Sequence, residues 1–447
     1  MTTKINGKYP ALNQEQEEKI YPLHLVKKGA DYECCCPFHG EKTPSFKVSI
    51  KRNRYHCFGC GVGGDSIRFI MDTKNMKFYE AVEYLADKYD IPYEKKELTA
   101  EEQEKRFLHS QLIEINRVAA EYFRQCYEQA PVAKQYALDR WKDKTINVFQ
   151  IGYAPARPGL IEYCQKKGYS TDILLKAGLI KKSENDGSLY DTFRERLIFP
   201  IINRSGNIVG FTGRYIGRRS DLPKYLNTEE TELYSKKSIL FGLHLALREM
   251  KRDSTAVLVE GNPDVVRLHE IGVGNAVAPM GTALTKEQIG ILQQYAKTII
   301  IIGDTDKAGV QASIKNGQAL LEAGFNVRLM IVPDGKDPDE YFRTHSKDYE
   351  DCLARYTHDY IPWICQRKLA DKTSQTEIAT TITELAELMA YCQDQRAVDM
   401  YIEQFSKTYK NARIWQQEYF KAKNKRERAL AKEANESMED MLAEYGF

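Results

Sequence analysis

The chain has 447 residues, 42% hydrophobic and 29% charged, with a net charge of only +2. That is ordinary globular material with room for roughly two to four domains, and it excludes a disordered or polycationic chain. Any affinity for nucleic acid must therefore come from local basic patches. The opening residues MTTKINGKYPALN contain no apolar run, so neither a signal peptide nor a membrane span is expected and the chain reads as cytoplasmic.

Five of the ten cysteines lie between Cys34 and Cys60. Without a secretory signal, such clustering points to metal rather than disulfides. Cys36-Pro37-Phe38-His39 and Cys57-Phe58-Gly59-Cys60 form C-x2-H and C-x2-C knuckles, each able to present two ligands to one tetrahedral ion. Cys36, His39, Cys57 and Cys60 would make a closed structural Zn²⁺ site, with bonds of roughly 2.0 to 2.3 Å. Cys36 has the knuckle spacing to His39, and Cys35 is the alternative first ligand. Phe46–Ile50 and Arg54–His56 alternate like two strands of a ribbon joined by a cationic turn. Asp65 is placed to cap a helix carrying Ile67, Phe69 and Ile70, and a second helix is predicted from Phe78 to Tyr89. Lys47, Lys51, Arg52 and Arg54, with the rings of Tyr55 and Phe58, would suit single-stranded nucleic acid, cations following phosphates while rings stack on bases. A solvated basic face on a structural ribbon is the plainer alternative.

Glu94 to Arg106 is almost wholly polar and reads as a tether or a solvated helix start. Helices follow, with Ile115, Val118, Ala119 and Phe123 on a core face. From Phe193 the pattern turns to strands: Phe193–Ile202, a turn at Asn203–Asn207 and a return strand Ile208–Tyr215. Arg194, Arg196 and Arg214 occupy strand positions, where phosphate binding and a solvated sheet face are nearly equal readings. Lys224 and Lys236 extend this basic set. No G-x-x-x-x-G-K-[ST] occurs, which excludes a P-loop ATPase, and no G-x-G-x-x-G follows a strand.

Three acidic clusters come next, each directly after a short apolar run: Glu260 with Asp264, then Asp304 with Asp306, then Asp337 with Asp339. Runs of β-branched residues separated by helix-length segments predict βα units and a parallel sheet. Residues just past the carboxyl ends of such strands face the ligand crevice. Carboxylates gathered there repel one another unless a cation binds, and an all-oxygen ligand set favours Mg²⁺ or Mn²⁺. Helix capping ahead of Glu340-Tyr341-Phe342 is a second role open to Asp337 and Asp339.

In combination these motifs resemble the bacterial DnaG-type DNA primases, in the family's order from about Ile20 to His345. CPFHGEKTPSF and YHCFGCGVGGD are similar to its zinc ribbon; FRERLIFPI, GFTGR and PKYLNT to the start of its polymerase core; VEGNPDVV, GDTDKAG and DGKDPDEYF to its Toprim fold. The resemblance implies a multidomain α+β and α/β protein. Its zinc-binding domain would span 1–96 (ribbon about 32–64), with a linker at 97–110 and the basic part of the polymerase core at 111–250. A Toprim parallel-sheet subdomain would span 251–345 and a helical segment 346–447. It implies metal-dependent synthesis of RNA primers on single-stranded DNA from ribonucleoside triphosphates. Glu260, Asp304 and Asp306 would lie closest to the chemistry, with Asp264, Asp337 and Asp339 serving a further ion directly or through water. Arg194, Arg196, Arg214, Lys224 and Lys236 match the family's template and nucleotide contacts. Thr305 stands where the family usually has glycine. The family also carries a C-terminal domain that docks the replicative helicase; a full module of that kind is not expected in the residues after His345, although Ile378, Ile382, Leu385 and Met389 have the spacing of a core helix. A Toprim nuclease and a non-catalytic single-strand-binding module are the competing readings.

Overall fold

The computed structural model describes residues 25–445 except 30, 39–40, 42, 60–61, 75, 77, 90–98, 220, 282, 334–336, 346–348 and 410–411. For residues 50, 430 and 433–445 it describes the backbone alone. The chain divides into two compact units, one up to Lys105 and one from Arg106.

In the first unit an antiparallel sheet runs in chain order through Val26–Lys28, Asp31–Cys34, Phe46–Ser49, Arg54–Cys57 and Gly63–Gly64. Period-2 alternation builds it: Phe46, Val48, Tyr55 and Cys57 point inward, while Lys47, Arg54 and His56 point to solvent. The connecting turn is a single 3₁₀ turn, Ile50–Arg52, followed by Asn53 at φ +46°, a conformation asparagine tolerates better than most residues. Asp65 caps the Ser66–Lys74 helix through the Arg68 amide at 2.8 Å, and Phe78–Tyr89 is the second helix. Tyr55 corrects an expectation. It is 2% exposed and packed between Phe46 at 5.1 Å and Phe69 at 5.5 Å, so its ring belongs to the core and cannot stack on a base. Phe58, by contrast, is 68% exposed.

The polar stretch read as a linker is helical from Ala100, where a helix begins that runs to Gln129. In the second unit, Arg196–Ile202 pairs with Ile208–Tyr215 as the predicted hairpin, Phe199 opposite Thr212, flanked by Tyr225–Asn227 and Gly152–Ala154. The other large sheet has the order Leu240–Phe241, Ala276–Pro279, Thr255–Val259, Thr298–Ile302, Asn326–Met330, Thr357–Asp359. Its four inner strands are parallel and its two edge strands antiparallel. Alternate residues of the central strands serve two cores. Val257, Val259, Ile300 and Ile302 pack with Phe199, Ile201 and Trp141 of the preceding subdomain. Leu258, Ile299 and Ile301 pack with the C-terminal helices, where Ile382, Leu385, Met389 and Trp415 are buried. Sandwiching between two layers explains the near-continuous apolar runs of these strands. Among the described residues no helix is long and apolar enough to cross a membrane.

Candidate active site

The parallel register places Val259 beside Ile302, so Glu260 and Gly303 leave adjacent strands at one level. The amide of Asp304 donates to Glu260 Oε1 at 3.1 Å. Close packing sustains this contact. A Cβ at Gly309 would lie 2.6 Å from Asp304 Cβ and 2.8 Å from Glu260 Oε1, and one at Gly303 would lie 2.1 Å from Ser313 Oγ. Asp306 is exposed and caps the Lys307–Glu322 helix, its Oδ1 accepting from the Gly309 amide at 2.8 Å. Thr305 is not among the non-glycine residues with positive φ, so its β-branch imposes no backbone strain.

Asp337 caps the helix Pro338–Thr344, with Oδ1 accepting from the Glu340 amide at 2.7 Å, as the alternative sequence reading had it. The remaining two acids lie deeper. Asp264 is 6% exposed; its Oδ2 accepts from the Gly261 amide at 3.1 Å and its Oδ1 from the Asp339 amide at 3.0 Å. Asp339 is 2% exposed and paired with Arg140 and, at 3.2 Å, with Arg267 Nε.

Burial, then Glu260, Asp337 and Asp306, push the Asp304 carboxyl up to about 7, with Lys224 opposing. Burial likewise raises Glu260, with Asp306 adding to it and the Asp304 amide opposing. Asp264 is raised well above the usual range by burial and then by Asp337 and Asp304. Asp339 is raised by burial against the pull of Arg140 and Arg267. Such mutual destabilisation is what a bound cation relieves. Asp304 Oδ1 is moreover buried with no hydrogen-bond partner, so the donor set fits a divalent ion.

The basic residues divide. Lys224 is exposed and acts electrostatically on Asp304. Lys236 is exposed too, and Arg194 is exposed with its guanidinium 5.3 Å from the Tyr190 ring. Arg214 donates to the Tyr225 hydroxyl at 2.6 Å and lies 5.6 Å from the Tyr136 ring. Arg196 is 4% exposed and donates to the carbonyls of Gly213 at 3.0 Å and Lys224 at 3.4 Å. Its guanidinium braces backbone; no phosphate reaches it there. Glu195, at φ +50°, breaks the strand alternation and sends Arg194 and Arg196 to different environments. Sequence reasoning missed Arg140, Arg267, Tyr136 and Tyr225. Arg140, Arg267 and Tyr136 meet partners far along the chain, whereas Tyr225 faces Arg214 on the neighbouring strand and sat within a motif already noticed.

In the first unit Cys36 and Cys57 are buried, whereas Cys35 is exposed. The Phe38 amide donates to Cys36 Sγ at 3.4 Å, the Ser45 hydroxyl lies 3.2 Å from Cys57 Sγ, and Glu41 holds the Cys36 amide at 2.7 Å. An amide aimed at a buried sulfur suits a metal-bound thiolate. His39 and Cys60 lie outside the described residues. Lys51 and Arg52 are exposed on the turn, and Arg54 is exposed at the start of the strand that follows it.

Ribbon and carboxylate-bearing sheet together define a class, the zinc-ribbon proteins with a Toprim metal-binding core. The chain matches the family models for a CHC2 zinc finger at 18–101, the DNA primase catalytic core N-terminal domain at 122–247 and a Toprim-like domain at 257–342. In domain order and motifs the chain is similar to the bacterial DnaG-type primases. It is 39% identical over 393 residues to a DNA primase of Clostridium acetobutylicum, covering 86% of this chain and 64% of the relative. Identity to the Halalkalibacterium halodurans DNA primase is 37% over 331 residues, covering 73% and 55%. The chain thus spans between about half and two thirds of the length of these relatives. The zinc-binding and RNA polymerase domains of the Aquifex aeolicus primase superpose with a TM-score of 0.60 at 28% identity, covering 89% of this chain and 95% of that one. A DnaG primase catalytic domain bound to single-stranded DNA superposes with a TM-score of 0.58 at 26% identity, covering 70% and 99%. A zinc in the ribbon and a divalent metal in the Toprim fold follow from these matches.

Proposed function

We propose that the chain is a DNA primase, a DNA-templated RNA polymerase that joins ribonucleoside triphosphates into short primers on single-stranded DNA, with Mg²⁺ or Mn²⁺ at the carboxylates. One observation carries the reading most: Glu260 and Asp304, tied by a hydrogen bond at the carboxyl ends of adjacent parallel strands, with Asp306 and Asp337 near enough to raise Asp304 electrostatically. The related DnaG primase catalytic domain bound to single-stranded DNA supports the template.

Glu260, Asp304, Asp306 and Asp337 would hold the ions. When bound, these supply an activated 3′-hydroxyl and charge neutralisation on the phosphates. The chain's own part is positioning and electrostatics. Lys224, exposed beside Asp304, suits the triphosphate, and Arg214, held by Tyr225 and Tyr136, offers a fixed cation for template or nucleotide. In the ribbon, Cys36, His39, Cys57 and Cys60 would hold zinc, and the exposed Phe58 beside Lys47, 5.3 Å away, suits a template base.

Purified protein with single-stranded template, labelled ribonucleotides and Mg²⁺ or Mn²⁺ tests this. Labelled oligoribonucleotides that vanish in Asp304→Ala support it. Template binding with neither synthesis nor cleavage would leave a binding module, and cleavage alone a Toprim nuclease; either overturns the proposal.

A further inference from the structure

The third acidic motif carries two aspartates two residues apart, and the fold treats them differently. Asp337 is half-buried, with Oδ1 on the Glu340 amide, and it is electrostatically close to Asp304. Asp339 is 2% exposed; Oδ2 meets Arg140 and Oδ1 meets Arg267 Nε at 3.2 Å. Arg267 is itself 4% exposed and also donates to Glu270 and to the Arg140 carbonyl. The buried Arg267 and the half-buried Arg140 therefore face the buried carboxylates of Asp339 and Glu270. That pairing permits burial, since an unpaired charge at this depth would be strongly disfavoured. The Asp339 amide donates to Asp264 Oδ1 at 3.0 Å, while Asp264 Oδ2 takes the Gly261 amide at 3.1 Å. Gly261 directly follows Glu260. Asp264 thus couples the Glu260 loop to the start of the Pro338–Thr344 helix, and Arg267 sits one turn along the same helix as Asp264.

We propose that Asp339 and Asp264 are positioning residues rather than ion ligands. Held by Arg267 and Arg140, Asp339 fixes the amino end of its helix so that Asp337 alone of the third motif faces the ions. Both Asp339 oxygens already have cationic partners, and a metal ion would have to displace a guanidinium to reach them. The inference rests on the primase reading only in taking Asp337 as facing the ions, and its test measures ion binding rather than synthesis.

Mn²⁺ binding to the full chain, followed through the electron paramagnetic resonance signal of free ion, separates the two roles. Asp337→Asn is expected to weaken Mn²⁺ binding at least ~10-fold. Asp339→Asn is expected to keep the bound-ion count, with affinity within ~3-fold, because its amide oxygen still accepts from Arg267. Arg267→Lys, which keeps the charge but loses the fork, should broaden the signal of bound Mn²⁺ without lowering the count. Should Asp339→Asn not fold, the charge-balanced pair Arg267→Gln with Asp339→Asn is read in its place. Loss of a bound ion in either Asp339 variant overturns the inference and leaves the primase reading standing. An intact binding pattern without RNA synthesis in the wild type overturns that reading and leaves the inference.

Discussion

The Asp304 amide donates to Glu260 Oε1 at 3.1 Å, joining the residues that follow two neighbouring parallel strands. One carboxylate oxygen of Glu260 is thereby oriented before any ion arrives, and Gly309 leaves just enough room for it. Gly309→Ala would put a methyl group 2.6 Å from Asp304 Cβ and 2.8 Å from Glu260 Oε1. The expected result is a helix start pushed off the site, destabilisation of about 1–3 kcal/mol and a greater loss of ion affinity than of stability. Thermal unfolding with and without Mn²⁺ checks this; a variant that behaves as wild type in both refutes the packing argument.

The same carboxylates predict a pH dependence. Asp304 is held near 7 against an ordinary value of 3.8, and Glu260 and Asp264 are raised as well. In the ion-free protein the native state then keeps protons that the unfolded chain has released. Its stability should fall as pH rises from about 4 towards 7, since the unfolded state binds fewer protons there. Divalent ions compete with those protons, so their affinity should rise across the same window. Melting curves at about pH 6 and about pH 8 test both signs: the upward shift on adding Mg²⁺ must be larger at the higher pH. An equal shift would mean that Asp304 titrates normally.

Two aromatic residues of the ribbon, both read from sequence as base platforms, should behave oppositely. Phe58→Ala removes a ring that is 68% exposed. It should leave zinc content and melting unchanged while weakening single-stranded DNA binding by about 1–3 kcal/mol, the usual worth of one stacked base. Tyr55→Ala opens a hole among Phe38, Phe46 and Phe69 and should cost about 3–5 kcal/mol. Fluorescence anisotropy with labelled DNA, set beside the melting of each variant, distinguishes them.

The burial of Cys36 and exposure of Cys35 predict the first zinc ligand. Cys36→Ser should lose stoichiometric zinc and destabilise the ribbon, because a structural site contributes folding energy directly. Cys35→Ser should keep both. Zinc measured by elemental analysis after dialysis decides, and the reverse pattern would assign Cys35.

What was legible in the sequence was whatever has a local period. The ribbon strands alternate, the Arg196–Tyr215 hairpin is announced by its turn, and Thr298–Ile302 is a bare β-branched run. Ala276–Pro279 was missed because four residues containing a proline, bounded by glycines, look like a loop; pairing with Thr255–Val259 and Leu240–Phe241 makes them a strand. The edge strands Leu240–Phe241 and Thr357–Asp359 are too short to show any pattern. At the site the acidic motifs could be read, but their division of labour could not. Asp337 and Asp339 differ through Arg140 and Arg267, whose identities mean nothing until the fold brings them to Asp339. Arg196 misled because its strand is covered on both faces, so a cation there meets backbone carbonyls instead of solvent or phosphate.

The C-terminal helices supply the last prediction. Leu258, Ile299 and Ile301 need an apolar partner on their face of the sheet, and Ile382, Leu385, Met389 and Trp415 provide it. Trp415 is fully buried, with its ring 5.6 Å from Phe405. Trp415→Ala should cost about 3–5 kcal/mol, as large cavities in packed cores do. Because the sheet carries the carboxylates at its strand ends, that loss should lower the melting temperature of the whole second unit in a single transition and weaken Mn²⁺ binding alongside it. Trp415→Phe, which keeps most of the ring volume, should recover much of both. Two separate transitions in the Trp415→Ala variant, with ion binding untouched, would mean that these helices fold as an independent appendage and not as the second layer over the sheet.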